Sequence, residues 1–258
     1  MRPPIFYNME LSAYEQEANF EEKYWWYVCR RHLFKTLIQP LALPKTAKIL
    51  DVGSASGGNF RMLKAMGFSN YSGIDISEYA KKYSEIKHLG KVILDDIQNP
   101  QKLLPDDYDL ILATDVLEHL DNDVTALKNM YHLLKQNGYL LITVPTFMIL
   151  WGANDEACQH KRRYSKNELL SKITEAGFNK IIKKFYFNFF LFIPILMIRK
   201  ISFLNKNEGN LANAMTNSLL NTIMKILFSI DCFISRKIPM PFGVSYLVLL
   251  KKNEANRV

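Results

Sequence analysis

The segment Ile49-Leu50-Asp51-Val52-Gly53-Ser54-Ala55-Ser56-Gly57-Gly58 constrains this 258-residue chain more than any other. A short apolar run enters a turn of small residues and leaves as a helix. Such a strand–turn–helix lets a nucleotide-like ligand approach the backbone at the carboxyl edge of a sheet. Gly53 removes the side chain at the turn, and Gly57 and Gly58 let the next helix enter closely against the strand. Asp51 stands where it can orient the loop or reach a cationic ligand. Ala55 takes the second glycine position of the dinucleotide pattern GxGxxG, so a ligand without a pyrophosphate fits better than a nicotinamide cofactor.

Downstream, apolar runs alternate with amphipathic stretches, the signature of strand–helix units around a parallel sheet. Strands are expected at 47–52, 70–75, 91–94, 108–114 and 138–144, with helices at 57–67, 77–88 and 122–135. Asn137-Gly138 suits a left-handed end for the last of these helices. Ser165 with Glu168 opens a further helix over 165–176 by a capping-box pattern. Strands at 179–187 and 244–251 follow, with residues 188–243 as an insertion between them. The expected fold is α/β, a Rossmann-like doubly wound sheet of about seven strands with helices on both faces. Residues 1–46 form a helical lead-in, and the core comprises 47–187 plus 244–252.

Polar residues collect where these strands end. Asp75, followed by Ile76, can accept hydrogen bonds from ribose hydroxyls, and Asp96 with Ile97 offers a polar group and an apolar neighbour for a ring. A helix cap is the alternative role for each lone Asp. The run Thr114-Asp115-Val116-Leu117-Glu118-His119 places three titratable groups within five positions of a buried strand end, which points to a site.

These ordered motifs, LDVGSASGG, GIDIS, LDDI, DVLEHL and LLKQNGYLLITVP, resemble those of class I S-adenosylmethionine-dependent methyltransferases over residues 47–145. Within that superfamily, DVLEH resembles the branch of ubiquinone-biosynthesis O-methyltransferases and bacterial relatives of glycan and lipid pathways. The resemblance implies S-adenosyl-L-methionine as cofactor and an antiparallel last strand. It brings Gly53, Ser54, Ala55 and Gly57 near the methionine part, sets Asp75 on the ribose and frames the adenine with Asp96 and Ile97. Thr114 and Asp115 would border the methyl-transfer site. The chain departs from the pattern at Ser54-Ala55, where another glycine is usual, which bears on cofactor affinity.

Transfer from a sulfonium depends mostly on in-line positioning, and a base is needed only for a poorly ionised hydroxyl. His119 is the candidate base, with stabilisation of the following helix as its alternative role; Asp115 and Glu118 accompany it. The same three residues, Asp115, Glu118 and His119, can instead hold a divalent cation. Trp151 and the segment His160-Lys161-Arg162-Arg163-Tyr164 resemble the acceptor-side loop of the same branch, with guanidinium groups suited to phosphate or carboxylate. Tyr24-Trp25-Trp26-Tyr27 and Arg30-Arg31 resemble its lead-in and can either cover the cofactor or pack in the core.

Charge separates along the chain. Residues 1–160 carry 16 Lys and Arg against 20 Asp and Glu, whereas residues 161–258 carry 17 against 5. A basic half of this kind suits a negatively charged partner. The insertion adds Phe189–Ile198, too short to span a bilayer as a helix, and Leu219–Ile234, which sets Leu219, Ile223, Ile226, Leu227, Ile230 and Phe233 near one side. With Lys200, Lys206, Arg236 and Lys237 around them, these segments suit a peripheral contact with an anionic membrane; core packing and a homodimer interface are the alternatives. The acceptor is accordingly expected to be lipid-linked, a glycan or a small molecule; a non-catalytic membrane- or nucleic-acid-binding module with a degenerate nucleotide fold is the alternative, motivated by Ser54-Ala55 and the basic half. Nucleic acid is disfavoured because no Asn/Asp-Pro-Pro-Tyr or Pro-Cys signature occurs. Three cysteines without a CxxC pair and an N-terminus without a signal-peptide pattern lead to a cytoplasmic expectation, peripheral at the inner face of the membrane.

Overall fold

The computed structural model describes residues 11–205 and 218–253. Seven strands form one sheet in the order β3-β2-β1-β4-β5-β7-β6. They are β1 (Ile49–Val52), β2 (Tyr71–Asp75), β3 (Lys91–Leu94), β4 (Tyr108–Thr114), β5 (Leu134–Pro145), β6 (Lys180–Phe187) and β7 (Ser245–Lys251). The first five are parallel, while β7 runs antiparallel to both β5 and β6. The doubly wound sheet and its antiparallel last strand therefore match the expectation. Helices cover both faces, so the central strands are buried on both sides and read as continuous apolar runs. Leu110, Ile111, Leu112 and Ala113 of β4 have no exposed surface.

Preceding the sheet are α1 (Leu11–Lys23) and α2 (Trp25–Ile38). Between strands lie α3 (Gly58–Ala65), α4 (Glu78–Ile86) and α5 (Asp123–Leu133), followed by α6 (Ala153–Ala157) and α7 (Lys166–Glu175). The caps follow the sequence chemistry: Asn122 accepts the Thr125 N–H at 3.0 Å and Ser165 accepts that of Glu168 at 3.2 Å. One cluster of the core joins α5 and α7 to the sheet through Leu127, Met130, Leu169 and Ile173. The opposite face packs under α2 and α3 through Leu33, Phe34, Met62 and Leu63.

Asn137-Gly138 does not end a helix. α5 stops at Leu133 and the chain passes directly into β5, where Asn137 takes a φ of +64°. The pairing of β4 with β5 slips there, from Tyr108 opposite Leu134 to Leu110 opposite Tyr139. The left-handed residue absorbs the extra chain as a bulge, and Asn137 and Lys252 tie it to the end of β7 by backbone hydrogen bonds.

The insertion forms α8 (Phe189–Asn205) and α9 (Ser218–Ser235), with Lys206 outside the described residues. α9 faces the opposite way from an ordinary surface helix. Its inner side carries Asn221, Phe228, Asp231, Cys232 and Ser235, whereas Leu219 is 71% exposed, Ile226 56%, and Ile223, Ile230 and Phe233 are exposed beside them. Asn221 Oδ1 accepts the Trp25 N–H at 2.8 Å and its amide donates to the Lys23 carbonyl at 3.0 Å, holding α9 on the junction of α1 and α2. Trp25 and Trp26 pack on Phe228 with ring centroids 5.7 and 5.8 Å apart, so these aromatics join the lead-in to the insertion. α9 is long and apolar enough by composition to cross a membrane, but its buried side belongs to the protein core.

Asp231 fastens the two insertion helices together. Its carboxylate accepts the Asn188 N–H at 2.7 Å and the Phe190 N–H at 3.0 Å, at the start of α8. Replacing Asp231 by Ala strands two buried donors and should cost about 1–3 kcal/mol, read as a fall in Tm by thermal denaturation. An unchanged Tm would mean that the α8–α9 junction carries no stability.

Candidate active site

The loop after β1 is shaped by backbone conformations that favour glycine. Gly53 has φ +69°, and a Cβ there would lie 2.8 Å from Val116 Cγ2. Gly57 caps α3 at φ +75°. Ala55, where the family pattern favours glycine, also takes a positive φ of +40°. Its N–H donates to Asp75 Oδ2 at 2.9 Å, while Asp75 Oδ1 accepts the Ser77 N–H at 2.9 Å. Asp75 thus joins the β1 loop to the end of β2, with Ile76 exposed beside it. Burial raises its carboxyl above the usual range. At the end of β3, Asp96 folds back on its own loop by accepting the Gln98 N–H at 2.8 Å, and Ile97 is buried next to it.

Asp51 sits beneath the loop with almost no exposed surface. Asn59 donates to its Oδ1 at 2.8 Å and reaches Thr114 Oγ1 at 3.1 Å. Asp51 Oδ2 and Ser54 Oγ are buried without a partner among the described residues. Burial pushes the Asp51 carboxyl up to about 8, against the Asn59 hydrogen bond and reinforced by Asp75 and Glu21. Unsatisfied buried polar atoms beside a glycine turn fit a ligand that brings its own positive charge and donors. The residues present therefore suit a sulfonium nucleoside with an amino-acid tail.

The lead-in helices reach this site through residues that spacing alone does not mark. Arg30 of α2 pairs with Asp115 at 2.7 Å, and its guanidinium lies over the rings of Trp26 and Phe34. Thr143 donates to the other oxygen of Asp115 at 2.9 Å, and Asp115 itself has φ +55°. Glu21 of α1 accepts from Ser56 Oγ at 2.6 Å and pairs with Arg61 at 3.2 Å. Glu17 is pushed up to about 7, chiefly by burial and then by Glu21 and Asp75. A Glu-rich helix ahead of the aromatics is the one sequence signal for these contacts. Asn59, in the first turn after the glycine loop, is a site neighbour that the sequence motifs do not single out.

Beyond the end of β4, a short turn at Leu117–His119 brings Glu118 and His119 toward His160 of the later loop. Burial and the neighbouring His160 push His119 down to about 4, so its imidazole is neutral at physiological pH. Burial, and then Asp115, raises Glu118 well above the usual carboxyl range. Both Asp115 oxygens are engaged by Arg30 and Thr143, and His160 stands near Glu118 and His119.

Three residues expected to face an acceptor have partners within the fold. Tyr164 is fully buried and donates its hydroxyl hydrogen to Asp123 at 2.6 Å, with the Leu117 carbonyl 3.1 Å from the same oxygen. Arg163 is buried against Asp155 at 2.8 Å and the Thr146 carbonyl at 3.1 Å. Arg162 lies against Asp123 at 3.2 Å on α5. Their bonds brace the loop, because a buried guanidinium or phenol must satisfy its donors within the fold. Trp151 remains half-buried after the turn Met148–Leu150. Asp155 collects His160, Arg163 and Arg199, each at 2.8 Å; burial alone would raise its carboxyl, but these partners hold it well below the usual range.

Residues 26–187 match the family model described as a methyltransferase domain. Over 128 residues the chain is 27% identical to a non-reducing polyketide synthase of Stereocaulon alpinum, covering 46% of this chain and 5% of that protein. Over 160 residues it is 26% identical to the phosphoethanolamine N-methyltransferase of Plasmodium falciparum, covering 58% of this chain and 60% of that one. The chain therefore spans less than two thirds of the length of these relatives. Phosphoethanolamine N-methyltransferase 2 of Haemonchus contortus, solved with phosphomonomethylethanolamine and S-adenosylhomocysteine, superposes at a TM-score of 0.57 and 17% identity, over 85% of this chain and 52% of that one.

Asp51, at about 8, carries its proton at neutral pH, and a ligand ammonium against Oδ2 favours the ionised form. S-adenosylhomocysteine binding at pH 7 should therefore release protons, read by calorimetry in two buffers of different ionisation enthalpy. Asp51→Asn should bind more weakly without that release, and an equal release from the variant would remove Asp51 from the account. Because its folded value stands above the unfolded one, Asp51 lowers stability as pH rises toward 8, so Asp51→Asn should raise Tm more at pH 9 than at pH 5. Ala55→Gly relieves the left-handed alanine and should gain up to about 1 kcal/mol; a lower Tm would show that the +40° backbone carries no strain.

Proposed function

The chain belongs to the methyltransferase-domain family, the class I S-adenosylmethionine-dependent enzymes, and on that premise we propose that it methylates an oxygen of an amphipathic acceptor, lipid-linked or glycan, met at an anionic membrane surface on the cytoplasmic side. The outward apolar face of α9 carries this reading. Leu219, Ile223, Ile226, Ile230 and Phe233 are exposed along one side, and Phe190, Ile193 and Met197 of α8 add to the apolar surface. Lys225, Arg236 and Lys237 accompany them within a half of the chain that carries 17 Lys and Arg against 5 Asp and Glu. Apolar surface bordered by cations suits a helix lying in the interface of an anionic bilayer.

In this reading Asp75 holds the ribose hydroxyls, Asp96 and Ile97 frame the adenine, and Gly53, Ser54, Ala55 and Gly57 give the methionine part its close approach. Asp51 meets its ammonium. S-adenosylmethionine, when bound, supplies a methyl group on a positively charged sulfur that becomes neutral as the methyl leaves. Thr114 and Asp115 border the path of transfer, and the Arg30–Asp115 pair fixes that border, so the chain contributes mainly orientation. Neutral His119 accepts the hydrogen of an acceptor hydroxyl, and Glu118, Trp151 and His160 complete the acceptor side. Arg162, Arg163 and Tyr164 hold that loop in place.

An amine acceptor is the second reading, favoured by the likeness to the Plasmodium falciparum enzyme, whose name specifies N-methylation. It requires only that the acceptor nitrogen arrive without its proton.

Sedimentation with phosphatidylglycerol–phosphatidylcholine vesicles tests the membrane step. The full chain should pellet with anionic vesicles and stay in solution with purely zwitterionic ones, and Ile226→Glu with Ile230→Glu should abolish pelleting without lowering Tm, since both side chains are exposed. Radiolabelled S-adenosylmethionine with membrane extract should then place label in organic-extractable material. Absence of vesicle binding, with a dimer seen by light scattering, would reassign the apolar face to a second subunit.

A further inference from the structure

α2 and α9 leave a cavity of about 130 Å³ between them, which shares no lining residue with the candidate active site. Its floor is Cys29, Leu33, Phe228 and Cys232, all buried. The Cys29 thiol faces the Lys225 carbonyl at 3.6 Å and the Ser229 hydroxyl at 3.8 Å. Burial pushes both thiols up, so they keep their protons at neutral pH and act as small apolar groups. The volume is close to the roughly 150 Å³ of an apolar cavity that takes up benzene. It therefore has room for one ring or a short chain, and not for a nucleoside.

The mouth of the cavity has a different character. His32 and Phe233 are exposed there, and Thr36 and Arg236 are half-buried. Arg236 donates its Nε–H to the Cys232 carbonyl at 3.1 Å, which sets the guanidinium at the rim, and its terminal nitrogens have no partner among the described residues. Lys237 adds a second cation, its Nζ 4.1 Å from the centre of the Phe233 ring. No carboxylate lines the cavity among the described residues. Asp231, the neighbour of Cys232, turns its oxygens to the Asn188 and Phe190 N–H groups instead. An apolar floor under an uncompensated guanidinium is complementary to a ligand with an apolar body and one anionic end.

We propose that the α2–α9 cavity binds a small amphipathic carboxylate, its apolar body between Leu33 and Phe228 and its carboxylate on Arg236. The two terminal N–H groups of a guanidinium match the two oxygens of a carboxylate. Thr36 and His32 offer further polar contacts at the rim, and the thiols of Cys29 and Cys232 give the body soft, polarisable walls. The site is separate from the cofactor and the acceptor, and it does not depend on the membrane reading above. A ligand held there clamps α2 against α9. Cys29 adjoins Arg30 on α2, so the same clamp bears on the helix that holds Asp115.

The test uses the full chain and para-fluorophenylacetate, followed by fluorine NMR, with thermal denaturation as a second readout. A ligand of this size should bind one equivalent in the millimolar to high-micromolar range and raise Tm. Saturating S-adenosylhomocysteine should not displace it, and the corresponding amide and amine should bind at least several-fold more weakly. Arg236→Gln should weaken binding about tenfold, and Thr36→Trp, which fills the mouth, should abolish it. Ile226→Glu with Ile230→Glu should bind as the unaltered protein does, because these side chains lie on the outward face of α9 and outside the cavity. Circular dichroism checks the fold of each variant, and Arg236→Glu, at a half-buried position, decides the matter if the tryptophan variant does not fold. No binding by the unaltered protein, equal binding of the amine, displacement by S-adenosylhomocysteine, or binding unchanged in the Arg236 variants would each overturn the assignment. Vesicle pelleting is a separate readout, so loss of either result leaves the other reading standing.

Discussion

Parallel strands can be joined only by crossovers that return the chain to the same end of the sheet, and in β3-β2-β1-β4-β5 that requirement is met four times over. Every strand therefore delivers its exit loop to one edge. Asp51 with the glycine turn, Asp75, Asp96 and the Thr114–His119 segment share that edge because of the topology. Burial of the central strands on both faces makes the edge rigid, and the positive φ angles of Gly53, Ala55, Gly57 and Asp115 are held by a frame that does not relax around them. Chemistry at this site is a property of where the sheet stops.

That dependence explains how much of the molecule could be read before its structure. Strand cores are continuous apolar runs, so β3 and β4 fall at the expected residues, and the other strands differ mainly at their ends, most at the start of β5. The β5 ladder begins earlier than expected because the conformational freedom of Asn137 serves a bulge as readily as a helix end. The contacts left unread are those between distant parts of the chain. Arg30 meeting Asp115 and Glu21 meeting Ser56 depend on how two helices dock on the loops. Within the basic segment at residues 160–164, charge alone does not tell the partly exposed guanidinium of Arg162 from that of Arg163, which is buried on Asp155. α9 shows the same limit: its apolar stripe was visible, but its outward direction follows from Asn221 and Asp231, polar groups whose partners lie on other elements.

Asp155 links these themes. It joins the His160 loop to Arg199 of α8, so the insertion and that loop share one buried carboxylate. Breaking such a network at one member leaves the others uncompensated. The apolar helices are thereby part of the mechanical surroundings of the Glu118–His119–His160 cluster. Displacement of α8 would be felt at His160 through two side-chain contacts.

The central placement of β7 between β5 and β6 also sets an order of assembly. β7 follows the insertion in the chain, so during synthesis the α8–α9 segment leaves the ribosome while β5 still has an unpaired edge and β6 has no neighbour in the sheet. Pairings of this sequence separation form late and expose apolar surface until they do. For a nascent chain that carries outward-facing isoleucines on α9 before β7 is made, the exposed apolar surface is therefore largest just before the sheet closes.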